Sequence, residues 1–259
     1  MLQSGHKGSS MRIAVLADIH GNLPALKAVM ADLASRHVDQ VVTLGDHLSG
    51  PLLPGETADF LMQQRWVQIA GNHERQLLSY DVATAGPSDR YAYPLISDKQ
   101  FAWLRSLPPI AEIDGGVLLC HGTLRSDLEY LLETVETGRV RLATAAEIAQ
   151  RTDGVIAPVV LCGHTHVPRA VRTGKGQLLV NPGSVGLPAF DDTKPSYHVV
   201  ETGSPDARYA LLENQTSGWT VALLSVSYDF ESMARLADQH SRPDWAHALR
   251  TGYVLSSLQ

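Results

Sequence analysis

Val159-Val160-Leu161-Cys162-Gly163-His164-Thr165-His166 is the stretch on which the reading of this chain turns. An apolar run closes in two histidines one residue apart. Along an extended segment, residues i and i+2 point the same way. His164 and His166 therefore offer two imidazoles to one small volume, and Gly163 lets the backbone come close to its occupant. Neutral imidazole is a common ligand of zinc, manganese and iron, so a metal ion is the expected guest. The remaining ligands must then come from elsewhere in the chain.

Four earlier apolar runs end in the same manner. Arg12 to Ala17 leads into Asp18-Ile19-His20, and Gln40 to Leu44 into Gly45-Asp46-His47. Trp66 to Ala70 leads into Gly71-Asn72-His73-Glu74, and Gly116 to Cys120 into His121-Gly122. Short, continuous apolar runs of this kind are strands buried on both faces. In open α/β sheets, functional groups gather beyond the carboxyl ends of the strands. Singly, Asp18, Asp46 and Asn72 would pass for helix caps or turn residues. Together with the histidines they exceed what one divalent ion takes. They suit two ions about 3.5–4 Å apart that share a bridging carboxylate.

Between the runs lie helical patterns. Leu23, Leu26, Val29, Met30 and Leu33 share one helical face, with Asn22 as N-cap and Pro24 in the first turn. A helix is expected from about Glu56 to Gln64, irregular helical structure over 75–110, and a loop with helices over 123–151, clearest at 145–151. Beyond His166 the character changes: a hairpin over 169–180, then strands at 196–201, 207–212 and 219–228. Helices at 230–239 and 245–250 close the chain. We expect residues 11–259 to form a single α/β domain whose strand-rich second half supplies a second sheet. Residues 1–10, polar and rich in Gly and Ser, read as a leader or expression remnant outside the fold.

Composition narrows the partners. Of 259 residues, 44% are hydrophobic and 19% charged, as in an ordinary globular protein. A net charge of -6 argues against an extended nucleic-acid-binding surface. No apolar run approaches the ~20 residues of a membrane helix. Two cysteines, Cys120 and Cys162, are too few for a disulfide framework and point to a reducing, cytoplasmic location. Both read as strand packing rather than as reactive thiolates.

The blocks Asp18-x-His20, Gly45-Asp46, Gly71-Asn72-His73-Glu74, His121 and Gly163-His164-x-His166, in this order, resemble the calcineurin-like metallophosphoesterase superfamily. Asn181-Pro182-Gly183-Ser184-Val185 and His121-Gly122-Thr123-Leu124-Arg125 are similar to segments of its small bacterial and archaeal phosphodiesterase-like branch. The resemblance implies a four-layer α/β/β/α sandwich of two mixed sheets flanked by helices. It implies that Asp18, His20 and His166 hold one divalent metal, that Asn72, His121 and His164 hold another, and that Asp46 bridges them. Manganese is favoured among Mn, Fe, Zn, Ni and Co. His73 is then not a ligand but the catalytic group facing substrate, and Arg125 is a weaker candidate for a clamp on its phosphate. Asp191, Asp192 and Lys194 are placed at the rim of the cleft, and His47 behind the ligands or at the rim.

The function so implied is hydrolysis of a P–O bond in a small-molecule phosphate ester, a diester more than a monoester, by water activated between the two ions. The alternatives are a nucleotide, dinucleoside polyphosphate or phosphoprotein phosphatase, or a non-catalytic scaffold such as the retromer subunit of the same superfamily. The protein phosphatases continue Gly-Asp-x-x-Asp-Arg-Gly, whereas Gly45-Asp46-His47-Leu48-Ser49-Gly50 lacks both the second aspartate and the arginine. The scaffold lacks the histidine of the Asn-His block, which is present here as His73.

Overall fold

The computed structural model describes residues 11–255. The stretch 1–10, read above as a leader, lies outside the described residues. Strand β1 (Arg12–Leu16) sits at the centre of the first sheet. It pairs in parallel with β2 (Gln40–Thr43), which pairs in parallel with the short β3 (Val67–Gln68). Helix α1 (Leu23–Leu33) makes the crossover between these parallel neighbours. The Asn22 side chain accepts the Ala25 amide at its start, as the capping pattern predicts. Helix α2 (Pro54–Leu61) makes the second crossover.

The stretch 75–110 resolves into α3 (Asn72–Leu78), α4 (Pro87–Ala92) and α5 (Asp98–Ser106). The hairpin β4 (Ile110–Ile113) and β5 (Val117–Cys120) then opens a second sheet. Where a loop with helices was expected over 123–151, only α6 (Ala145–Arg151) is helical. Before it, β6 (Glu133–Glu136) and β7 (Gly138–Leu142) form a tight antiparallel hairpin. Its signal is hidden because the strands carry a charged ladder rather than an apolar run. Glu136 binds both Arg139 and Arg141, and Arg141 reaches on to Glu147 in the first turn of α6.

Strand β8 (Val159–Leu161) lies parallel to both β5 and β10 (Leu178–Asn181), and β9 (Arg169–Arg172) closes that edge. Strands β11 (Ala189–Asp192) and β12 (His198–Glu201) join the β6–β7 hairpin in a third, four-stranded sheet. The two long strands β13 (Ala207–Gln215) and β14 (Gly218–Val226) return to the first sheet, where β13 pairs antiparallel with β1. Two five-stranded mixed sheets flanked by helices result, in orders β14-β13-β1-β2-β3 and β4-β5-β8-β10-β9, with the smaller sheet at their side. The second sheet thus draws on strands from both halves of the chain, and the late strand pair completes the first.

The layers follow the burial. Ile13, Val15, Val42 and Leu44 of the first sheet pack on Val117, Leu119, Val159 and Leu161 of the second, closing an apolar centre between them. The opposite face of the first sheet (Ala14, Leu16, Tyr209) is covered by Leu26, Val29 and Leu33 of α1. The opposite face of the second packs Cys120, Val160, Cys162 and Leu179 against Ile148 of α6. Both cysteines are free and buried there, and burial raises the thiol pKa of each. Helices α7 (Phe230–Gln239) and α8 (Pro243–Thr251) form a terminal hairpin packed on the β11 edge and on Leu52. Among the described residues no helix is long and apolar enough to cross a membrane.

Candidate metal centre

The parallel strands of both sheets end on one side of the molecule, and the residues after them turn sharply. Asp18, His20, Asp46, His164 and His166 all have left-handed backbone dihedrals, with φ between 51° and 69°. That region is strained for a residue with a Cβ and recurs at functional sites. It also changes the account of the His-x-His pair. His164 and His166 do not continue an extended strand: the chain curls at each, and their rings reach different clusters.

One cluster is Asp18, His20 and His166; the other is Asp46, His121 and His164. Within each, one donor atom per residue lies within 4.8 Å of the others. The hydrogen bonds show what those atoms are. His20 Nδ1 donates to the Ser49 carbonyl at 2.7 Å, and His166 Nδ1 to the Leu187 carbonyl at 2.7 Å. With the proton fixed on Nδ1, each Nε2 carries a bare lone pair, and these two atoms face one another at 3.1 Å. Neither can donate to the other. Burial lowers the pKa of both rings, His20 to about 4, so protonation does not relieve the contact.

The second cluster repeats the arrangement. His121 Nδ1 donates to the Leu44 carbonyl at 2.6 Å, which turns Nε2 towards Asp46 Oδ2 at 3.1 Å and Asn72 Oδ1 at 3.0 Å. Burial lowers the pKa of the His121 ring, but Asp46 outweighs it and holds the ring up at about 10. Burial also pushes the Asp18 carboxyl up to about 8, with His121 opposing and the charge of Asp46 reinforcing the rise. Buried lone pairs and carboxylates converging on two points are what divalent cations bind. The donor set fits such ions: carboxylate, amide oxygen and imidazole, with each imidazole oriented by a backbone carbonyl.

The backbone beneath the centre is held by contacts that the sequence did not flag. Glu74 is fully buried and accepts the amides of Asp46, His47 and Gly71 at 2.7–2.8 Å, tying the end of β2 to the start of α3. Burial raises its pKa, but His47 and the Gly71 amide prevail and bring it to about 2. His47 is itself fully buried, its Nε2 2.8 Å from Thr43 Oγ1 and its Nδ1 3.4 Å from Glu74, so it supports the turn from behind and is not at the rim. Two glycines allow this closeness. A Cβ on Gly45 would stand 2.4 Å from the Gly71 nitrogen, and one on Gly71 would stand 2.3 Å from Asp46 Oδ1. The Asn181 to Val185 segment braces the other side: Asn181 Nδ2 donates to the Gly163 carbonyl, and Ser184 Oγ to the Asp18 carbonyl.

His73 stands at the mouth, a quarter exposed, with its ring 5.4 Å from that of His20. Its Nδ1 lies 2.8 Å from Asp89 Oδ1, and the buried Asp89 also accepts Ser49 Oγ at 2.5 Å. Burial lowers the His73 pKa, but Asp46, Asp89 and Glu74 outweigh it and raise it to about 9. Asp89 has no sequence signal of its own, because α4 lies in the irregular stretch. Arg125 is placed differently from the expectation. It is held bidentately by Glu129 and borders a separate shallow cavity with Ala149 and Asp153. The main cleft, about 1180 Å³, opens over His20, Asp46, Asn72, His73, His164 and His166. Asp191, Asp192 and Lys194 line it, as the sequence placed them.

The calcineurin-like phosphoesterase superfamily domain matches residues 11–204, and the chain belongs to that superfamily. It is accordingly a hydrolase of phosphoric esters. An uncharacterised protein of Methanocaldococcus jannaschii is 24% identical over 260 residues, an alignment that covers 90% of this chain and 94% of that protein. The crystal structure of a metallophosphoesterase from Sphaerobacter thermophilus superposes with a TM-score of 0.73 at 25% identity. That match covers 94% of this chain and 99% of the other.

Proposed function

We propose that this phosphoesterase is a phosphodiesterase that works with two divalent metal ions, manganese foremost among Mn, Fe, Zn, Ni and Co. Asp18, His20 and His166 would hold one ion; Asn72, His121 and His164 the other; Asp46 would join them. The observation that carries this reading is the pair of buried imidazole lone pairs of His20 and His166, which face each other at 3.1 Å with no proton between them, beside a second convergence of Asp46, His121 and His164. Bound divalent ions would supply positive charge to the phosphoryl oxygens and lower the pKa of water.

The side chains supply the rest. His73, kept protonated by Asp46 and Asp89, donates to a phosphoryl oxygen or to the departing alkoxide. Asp89 holds Nδ1 and so directs Nε2 into the cleft. The two buried free thiols accord with a reducing, cytoplasmic setting. A cleft of about 1180 Å³ leaves room for substituents on both sides of a phosphoryl group, which favours a diester over a monoester.

The test is metal analysis of the purified protein, followed by turnover of bis(4-nitrophenyl) phosphate and 4-nitrophenyl phosphate with each metal. The reading expects close to two metal equivalents per chain and preference for the diester. Absence of turnover with every metal and both esters would overturn it.

A further inference from the structure

Resting on the phosphodiesterase reading, we infer that the cleft selects esters of a single phosphoryl group whose other substituents are uncharged, and disfavours chains of phosphates. The metal centre can take one phosphoryl group. Any further phosphate has to find cations on the cleft wall, and there both arginines are already committed and the one lysine shares its segment with two aspartates.

Arg242, Arg151 and Lys194 are the arginine and lysine residues of the wall. Arg242 gives Nε and Nη2 to Asp244 at 2.9 and 2.6 Å and Nη1 to Ser88, while its guanidinium stands 5.6 Å over the Trp245 ring. Arg151 spends Nη1 on the Leu131 and Glu133 carbonyls and Nη2 on Thr134. Two arginines close by, Arg75 and Arg125, are each closed bidentately on a carboxylate, Asp127 and Glu129. Bidentate phosphate recognition requires an open guanidinium fork. The Lys194 ammonium has no acceptor among the described residues, but its segment brings Asp191 and Asp192 into the same wall. Asp81 adds a further carboxylate.

Beyond Lys194 and His73, what the wall offers is mostly neutral. Gln76 and Thr84 present polar side chains, and Leu187, Phe190 and Trp245 present apolar surface beside the ligands. Phe190 meets the His166 ring at 4.7 Å and Trp245 meets His20 at 5.8 Å. A volume of about 1180 Å³ lies above the usual range of about 300–1,000 Å³ for ligand cavities and leaves room for large substituents on the phosphoryl group.

A matched pair of substrates isolates phosphate number: thymidine 5′-(4-nitrophenyl phosphate), and thymidine triphosphate esterified with 4-nitrophenol at the γ position. Turnover is followed by nitrophenolate release and by chromatography of the nucleotides, with metal in excess over the triphosphate. We expect kcat/KM at least tenfold higher for the single phosphoryl ester; equal or reversed values would overturn the inference while leaving the phosphodiesterase reading intact. Failure to hydrolyse either ester or bis(4-nitrophenyl) phosphate would instead remove that reading, and the inference with it. Asp244→Asn, which opens the Arg242 fork, should move the ratio towards the triphosphate at least threefold. An unchanged ratio in a variant with wild-type melting behaviour would also overturn the inference.

Discussion

His73 and Asp89 form a buried-to-exposed dyad: Nδ1 and Oδ1 are 2.8 Å apart, with the carboxylate buried and the imidazole open to the cleft. The aspartate comes from α4, sixteen residues downstream, and is anchored by Ser49, which follows the Asp46 turn. After Asp46, it does most to keep the ring protonated, and its hydrogen bond to Nδ1 leaves Nε2 for the substrate.

Asp89→Asn should therefore lower kcat about 10–100-fold, a part of the 10²–10⁴ that a positioned acid contributes. Metal content and KM should stay close to wild type, because Asp89 touches none of the seven ligands proposed here. Steady-state kinetics with metal analysis on the same sample check this. Loss of metal in parallel with activity would mean that Asp89 acts through the fold.

Glu74→Gln should destabilise the chain by about 3 kcal/mol, since it weakens three charge-assisted bonds from backbone amides in a fully buried setting. The same change should loosen metal binding, as Glu74 ties the loop of Asp46 to the start of α3, where Asn72 stands. Denaturant unfolding of the metal-free protein separates the first effect from the second.

Adding a divalent cation to the chelated protein should raise its melting temperature. At a hundred times the dissociation constant, linkage gives about 2.7 kcal/mol. Asp46→Asn should lose most of that rise together with activity, since it removes the carboxylate of the second cluster, the one proposed to join the two ions. Calorimetry at fixed protein concentration is the measurement, and retention of the full rise would count against a bridging Asp46.

Asp32 offers a pH prediction far from the centre. Hydrogen bonds from Arg36 and Tyr209 lower its pKa in the folded state below the ordinary 3.8, against a small opposing effect of burial. Between the two values the unfolded chain binds the extra proton. The stabilisation is therefore complete above pH 3.8 and is lost as pH falls through the folded value. Asp32→Asn should cost up to about 1 kcal/mol at pH 7, since Asp32 and its partner Arg36 are partly exposed. The gap from wild type should narrow below pH 3.8, as urea unfolding at both pH values would record.

How far the sequence could be read depended on where each residue stood relative to the strands. The candidate metal-binding residues were legible because β1, β2, β3, β5 and β8 are apolar runs and each is followed by its polar block. The β6–β7 hairpin was not legible, because Glu136, Arg139 and Arg141 stabilise it through charge pairs that read as a solvated loop. Asp89 was hidden for another reason: its partner His73 is distant in sequence, and no periodicity links a short helix to a strand end. Glu74 was visible as part of the Gly-Asn-His-Glu block, but its three amide partners belong to two loops that only the tertiary fold brings together.

The left-handed dihedrals at Asp18, His20, Asp46, His164 and His166 have a bearing on which sequences this scaffold admits. Asp, Asn and His are the side chains with a Cβ that most often enter that region. They are also competent metal donors. At these positions the alphabet is filtered twice, once by coordination and once by torsion. A glutamate or cysteine with an equally good donor atom would meet a main chain already turned against it. The mould is cut in the peptide backbone, before any cation arrives.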